Sequence, residues 1–250
     1  MFLIVYKWLG KCPVTIYNID ILGMPILKNV NKDFFKKWTP EMAYVLGLFA
    51  ADGYITVNKR GGQFWCLDIV DKKLIKKIRD KIDSNHKIST RKRNSGEYTT
   101  YRLQIGSIEM CEDLRFLGFY ERKTKNLSIP NIPPKYFPDF VRGYFDGDGN
   151  VWVGYVHKGR VTRTLSIQTV FTSCSKEFLE ELKMRLEING VNKGRIRQGK
   201  GNYFRLVYSI INSFNLYNFM YNDKSAKNKL YLARKKIIFD KYIKNKYMRS

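Results

Sequence analysis

The chain repeats itself, and the repeat limits what it can fold into. Residues 39–53 read Thr-Pro-Glu-Met-Ala-Tyr-Val-Leu-Gly-Leu-Phe-Ala-Ala-Asp-Gly, residues 138–149 read Pro-Asp-Phe-Val-Arg-Gly-Tyr-Phe-Asp-Gly-Asp-Gly, and the two align at an offset of 96. Each has proline in the first turn and closes on Asp-Gly, which predicts a short helix. Thr39 is the expected N-cap of the first, and Gly53 and Gly149 are expected to stop the helices in the left-handed conformation. The flanks repeat as well. Residues 54–70 and 151–172 are rich in aromatic and β-branched residues around turn signals at Gly61-Gly62 and near Gly159, and predict hairpins. Helical patterns follow over 71–82, with Leu74, Ile75, Ile78 and Ile82 on one face, and over 175–188, with Phe178, Leu179, Leu182 and Leu186. Basic strands over 86–106 and 192–210, then helices over about 107–118 and 211–221, complete each copy. The expected architecture is an α+β chain of two αββαββα repeats, 39–134 and 135–250, with no Gly/Ser-rich linker between them. Residues 1–38 stand outside the repeat as an extension without an assigned role.

The paired helices suggest how the copies meet. Gly47 and Ala51 are four apart in the first, Gly143 and Gly147 in the second, so each helix has one face almost free of side chain, and two such backbones can approach closely. Packed face to face, they bring Asp52 and Asp148 to one end, where both helix dipoles are negative and each carboxylate is disfavoured. Either one carboxylate takes up a proton or the pair holds cations. Hard oxygen ligands with open water positions suit Mg²⁺. A single Asp-Gly is an ordinary helix stop; matched carboxylates in matched repeats point to a functional pair. Asp146 lies two residues before Asp148, has Ala50 as its counterpart, and is expected to cap or to be solvated.

Charge indicates the partner. Lys and Arg number 46 against 22 Asp and Glu, a formal charge of +24, and an excess of that size points to a polyanion, nucleic acid first and an anionic membrane second. With 44% hydrophobic and 15% aromatic residues, disorder is excluded as the main state. No window approaches the ~18 apolar residues of a membrane span, and the apolar start at residues 1–6 is short for an export signal. Cys12, Cys66, Cys111 and Cys174 form no C-x-x-C pair, so a reduced, intracellular setting is expected rather than a zinc ribbon or a disulfide framework. Two histidines, His86 and His157, are too few for a histidine-clustered nuclease or zinc fingers.

Val45-Leu-Gly-Leu-Phe-Ala-Ala-Asp-Gly53 and Val141-Arg-Gly-Tyr-Phe-Asp-Gly-Asp-Gly149 resemble the two motifs of LAGLIDADG homing endonucleases. Thr39-Pro-Glu-Met-Ala-Tyr44 and Tyr231-Leu-Ala-Arg-Lys235 are also similar to segments of that family, and the resemblance covers about residues 39–240. It implies a monomer of two pseudo-twofold halves, with the motif helices at the interface and two antiparallel sheets forming a saddle on duplex DNA. It implies that Asp52 and Asp148 share Mg²⁺ ions, with backbone carbonyls of Ala51 and Gly147 as further ligands. The implied reaction is cleavage of both strands at a long site, leaving short 3′ overhangs. A lysine beside each centre is implied too: Lys125, with Lys123 close behind, for one, and Lys227 for the other. The same fold serves as an intron RNA maturase or a non-cleaving DNA-binding protein; with both motif carboxylates present, cleavage is favoured.

The strands supply the expected DNA contacts. Residues 192–206 carry Lys193, Arg195, Arg197, Lys200 and Arg205 with no acid, and residues 86–105 carry Lys87, Arg91, Lys92, Arg93 and Arg102 against Glu97. Such ribbons fit the major groove, where Arg reads guanine, Gln or Asn reads adenine and lysines hold phosphates. The expected contacts are Arg91, Arg93, Arg102 and Gln104 in the first half and Arg163, Gln168, Arg195, Arg197, Lys200 and Arg205 in the second. Residues 223–250, with ten basic and two acidic residues, are expected to form a helix with a solvated basic face or an added backbone contact. Pro138-Asp139 with Glu181 and Lys183 has the spacing of another nuclease pattern, but Glu181 and Lys183 fall in a helix where that pattern needs a strand.

Overall fold

A computed structural model describes residues 28–92, 99–121, 127–156, 159, 163–221 and 230–247. The first repeat runs α1 (Pro40–Asp52), β1 (Gly53–Val57), β2 (Gln63–Ile69), α2 (Lys72–Lys81), β3 (Ile88–Lys92), β4 (Thr99–Gly106) and α3 (Ile108–Phe116). The second runs α4 (Phe137–Asp148), β5 (Gly149–Val156), β6 (Thr164–Ser173), α5 (Lys176–Ile188), β7 (Arg195–Gln198), β8 (Phe204–Ser209) and α6 (Ile210–Tyr221), and α7 (Ala233–Tyr247) follows. Each half has one antiparallel sheet of four strands, ordered β1-β2-β4-β3 and β5-β6-β8-β7. Among the described residues the expected αββαββα order therefore occurs twice.

Local chemistry sets these boundaries. Thr39 Oγ1 accepts from Met42 N–H at 3.0 Å, Asp71 Oδ1 from Leu74 N–H at 2.7 Å, Ser107 Oγ from Met110 N–H at 3.2 Å and Ser175 Oγ from Phe178 N–H at 3.1 Å, so α1, α2, α3 and α5 start on side-chain caps. Gly53 and Gly149 differ from expectation. Their φ values are −90° and −89° with ψ at 159°, which is extended backbone, and each is the first residue of a strand. Glycine is required there for space: a Cβ would run into the Phe49 ring at Gly53 and the Phe145 ring at Gly149. The left-handed conformation occurs instead at Gly61, φ +79°, in the β1–β2 turn.

Each sheet has one packed face and one open face. Ile55, Trp65, Leu67, Leu103 and Ile105 face the first core, where Phe49 and Phe35 meet the Trp65 indole edge-on. Val151, Ile167, Phe171, Leu206 and Tyr208 line the second, joined by Tyr144 and Phe178. Part of the segment before the repeat belongs to this packing. Phe34 and Phe35 are buried, and Asn31 N–H donates to Ile82 O at 3.0 Å. The C-terminal stretch forms the expected helix with basic residues exposed, Arg234, Lys241 and Lys244 among them, and α7 also buries Lys235, Phe239 and Tyr242 against the second half. Among the described residues no helix is long and apolar enough to cross a membrane.

Candidate metal centre and nucleic-acid interface

α1 and α4 lie against each other, and glycine makes the approach possible. A Cβ on Gly47 would overlap Phe140 O and sit 2.9 Å from Tyr144 N; a Cβ on Gly143 would overlap Tyr44 O and sit 2.9 Å from Leu48 N. These contacts interchange under the 96-residue offset, as expected of a pseudo-twofold contact. Farther along, a Cβ on Gly147 would strike the Ala51 methyl and stand 3.0 Å from Asp52 Oδ2. All four predicted small residues thus lie in the contact.

Asp52 and Asp148 are the last residues of these two helices. Asp52 is half-buried and Asp148 exposed, and the charges of both reach the same two buried groups. Burial first and then the Asp148 charge push the Tyr144 hydroxyl upward, with Asp52 adding to the shift. Lys235, from α7, is the second group. Its Nζ donates to Phe145 O at 2.7 Å, Asp146 O at 2.8 Å, Gly147 O at 3.1 Å and Gly149 O at 2.5 Å, and so caps the C-terminus of α4. Burial pulls this ammonium down to about 8, while Asp146, Asp52 and Asp148 favour its charge. A cleft of about 280 Å³ opens beside Asp52 and Gly147 and is lined also by Asp68, Asp71 and Arg234.

Two residues here differ from the sequence expectation. Asp146 neither caps nor faces solvent: it is buried, and its Oδ2 accepts from Tyr44 Oη and Leu232 N–H, each at 2.7 Å. Burial pushes its carboxyl up to about 6 against those donors. Lys235 is the residue that sequence reasoning missed. It lies in the noted Tyr231–Lys235 stretch, but in a lysine-rich tail nothing local marks which lysine turns inward. Lys123, Lys125, Lys227 and Arg93 lie outside the described residues. Asp139 is held by Arg142 at 2.6 Å, Glu181 by Arg185 at 2.6 Å and Lys183 by Glu187 at 3.4 Å, so the alternative nuclease pattern is a set of ion pairs.

The open faces carry the basic residues. Arg195 pairs with Val207 and Arg197 with Arg205 across β7–β8, and Gln168 sits opposite Ser209 and Trp152. Alternation puts Trp152, Gln168, Arg195, Arg197 and Arg205 on one face, all exposed. Arg163 and Lys200 are exposed at strand ends. In the first half Arg91 and Gln104 are exposed on the corresponding face. Arg102 shares that face but is not a free reader. Asp68, directly opposite it, holds its guanidinium through both Nε and Nη2, and the group lies 5.3 Å from the Tyr54 ring centroid.

A family model described as a LAGLIDADG-like domain matches residues 39–115 and 139–222, well over half of the chain. The chain belongs to the LAGLIDADG-like family. Solved LAGLIDADG structures share its fold. Mesophilic variants of the homing endonuclease I-DmoI match with a TM-score of 0.52 at 17% identity, covering 78% of this chain and 94% of theirs. The I-LtrWI LAGLIDADG homing endonuclease bound to target DNA matches at 0.51 and 15%, covering 84% and 91%. The homing endonuclease I-WcaI bound to its DNA recognition sequence matches at 0.50 and 22%, covering 84% and 96%. Among curated relatives, the intron-encoded RNA maturase bI4 of Saccharomyces cerevisiae is 26% identical over 250 residues, 92% of this chain and 36% of that protein. The probable translation initiation factor IF-2 of Thermococcus kodakarensis is 32% identical over 147 residues, 56% of this chain and 12% of that protein. The chain therefore spans only a part of these two relatives.

Proposed function

We propose that the protein is a metal-dependent homing endonuclease that cuts both strands of duplex DNA laid across its two open sheet faces. The observation that carries this is the reciprocal α1–α4 contact, which delivers Asp52 and Asp148 to one end of the helix pair. The donor set fits a hard divalent ion that keeps much of its water. Asp52, Asp148 and the carbonyls of Ala51 and Gly147 would hold it, and among the described residues no third Asp, Glu, His or Cys completes a protein cage. Mg²⁺ bound there would supply Lewis-acid polarisation of a phosphate and activation of water.

The chain's own residues do the rest. Lys235 ties the carbonyls at the end of α4 and sets one positive charge against the two carboxylates. Because Lys235 donates to Gly147 O from one side, only the other side of that carbonyl is left for a metal. Arg195, Arg197, Arg205 and Arg91 would hold and read the duplex, and Lys125 or Lys123, with Lys227, would steady charge on the phosphate. The two carboxylates are related by a single pseudo-twofold axis, which supports one cut per strand; short 3′ overhangs are what the family resemblance implies. The test is cleavage of a plasmid carrying the rejoined sequence flanking the gene. Asp52→Asn and Asp148→Asn should each abolish Mg²⁺-dependent cutting and leave binding within about threefold; cutting by either variant would end this reading. Matches to stretches of a translation factor and of an RNA polymerase subunit, proteins of unrelated task, also suit a mobile insert.

A second activity, intron RNA binding, is supported by the similarity to an RNA maturase over 92% of this chain.

A further inference from the structure

The halves share a fold but not a surface charge. α2 and α5 are counterparts, each packed on the covered side of its own sheet through Leu74, Ile75 and Ile78 or through Phe178, Leu179 and Leu182. The outer face of α5 compensates itself: Lys176 pairs with Glu180 at 2.9 Å, Lys183 with Glu187 at 3.4 Å and Arg185 with Glu181 at 2.6 Å. The outer face of α2 does not. Arg79 is taken by Asp80 and Lys81 by Glu41, each at 3.0 Å, and Lys72 leans on the Tyr101 ring at 5.5 Å. Lys73, Lys76 and Lys77 are exposed and, among the described residues, none makes an ion pair. Segment 28–32 extends this surface. Asn31 N–H donates to Ile82 O and Asn85 N–H to Asn29 O, which places the exposed Lys28 and Lys32 beside the C-terminal end of α2.

Lysines at i and i+4 repel, as in the pairs Lys72 with Lys76 and Lys73 with Lys77, so this row weakens its own helix. α5 avoids that cost by alternating its charges. An uncompensated row at the same place in the repeat implies a counterion from outside the chain. The duplex assigned to the open faces cannot be that counterion. The apolar side of α2 rests on the packed face of the first sheet, so its lysines and Arg91 lie on opposite sides of that sheet, separated by the sheet and a helix about 10 Å thick. An anionic bilayer fits poorly, since the apolar residues of α2 are buried and none is left to insert. α2 also carries no aromatic or amide side chain to engage bases, which suits contact with the backbone of a double helix recognised by shape, the usual mode for paired RNA.

We infer that the outer face of α2, centred on Lys73, Lys76 and Lys77, is a second nucleic-acid site that binds the phosphate backbone of structured RNA while the open sheet faces hold DNA. This rests on the proposed reading of those faces as the DNA surface and gives the RNA activity a location. The test uses the full chain, a labelled 30-base-pair RNA duplex and a saturating unlabelled DNA duplex. RNA should still bind. The Lys73→Glu, Lys76→Glu, Lys77→Glu triple variant should lose at least tenfold in RNA affinity, with the slope of log affinity against log salt shallower by about 2–3, while DNA affinity changes less than threefold. Arg195→Glu, Arg197→Glu, Arg205→Glu should do the reverse. DNA displacing RNA one for one, RNA affinity of the triple lysine variant within twofold of the parent, or binding to phosphatidylserine vesicles without binding to RNA would each overturn the inference. If the arginine variant keeps its DNA affinity, the DNA reading fails separately, whatever the lysine variant does.

Discussion

Gly143→Ala should be among the most damaging methyl additions in the chain. The new Cβ would overlap Tyr44 O and stand 2.9 Å from Leu48 N and from Tyr44 C. All three are backbone atoms of α1, so no side chain can swing aside. Restoring a non-bonded separation of about 3.5 Å from Tyr44 O requires the two helices to part by roughly 1.5 Å, more than the gap of about 0.5–1 Å that already forfeits a quarter to a half of each dispersion contact. Overpacking costs about 1–3 kcal/mol where neighbours can relax; with backbone on both sides the expected loss is about 3 kcal/mol, offset by less than 1 kcal/mol from the better helix propensity of alanine. For a chain of this size that corresponds to a fall in Tm of roughly 5–10 °C. Gly201→Ala is the control, because its Cβ would meet only ordinary contacts at 3.7 Å with the Tyr203 ring, and it should melt within about 2 °C of the parent. Calorimetry on both variants decides the matter. A Gly143→Ala protein that melts with the control would show that the helices do not meet as described.

The other expectations are briefer. Gly147→Ala should destabilise by about 2 kcal/mol, because its methyl strikes Ala51, whereas Gly147→Ala with Ala51→Gly should recover most of the loss; a double-mutant cycle with no positive coupling would refute the shared pocket. His86 is buried against Ser84, and burial lowers its pKa below 6.5. The unfolded chain therefore takes up the proton first as pH falls, and this part of the stability is complete above about 6.5 and lost below it. His86→Gln should reduce the drop in urea midpoint between pH 7 and pH 5.5, and an unchanged drop would exclude His86 as its source. Asp68→Ala frees the Arg102 guanidinium, so DNA affinity should rise or hold while discrimination at one base pair sharpens by about tenfold, on the scale of a single bidentate contact; binding to a panel of single-base-pair variants measures it.

Much of this arrangement was legible because its causes are local. Thr39 announces α1 as its cap, the apolar spacing of Leu74, Ile75 and Ile78 and of Phe178, Leu179 and Leu182 announces α2 and α5, and the four-residue spacing of Gly47/Ala51 and Gly143/Gly147 announces the seam. Apart from Gly53, what escaped depends on residues far apart in the chain. Gly53 reads as a left-handed stop, yet the chain passes straight from α1 into β1, and the Phe49 ring fills the space a side chain would need. Asp146 reads as a solvated neighbour of Asp148, but its partners are Tyr44 and Leu232, 102 and 86 residues away. Arg102 reads as a base contact until the register of β2 on β4 sets Asp68 opposite it. Lys235 is one of many lysines near the C-terminus, and only the docking of α7 selects it.

The seam between the halves has a further consequence. Its tightest points are main-chain atoms of one helix facing glycines of the other, so most of the fit is main-chain shape, and the Tyr44–Asp146 hydrogen bond is a side-chain feature that a foreign mate would have to supply. A repeat that offers a bare helix of the same pitch and the matching member of that pair should be accepted, and hybrid molecules assembled from two different parents should mate along this line while each side retains its own preference for the sequence it grips.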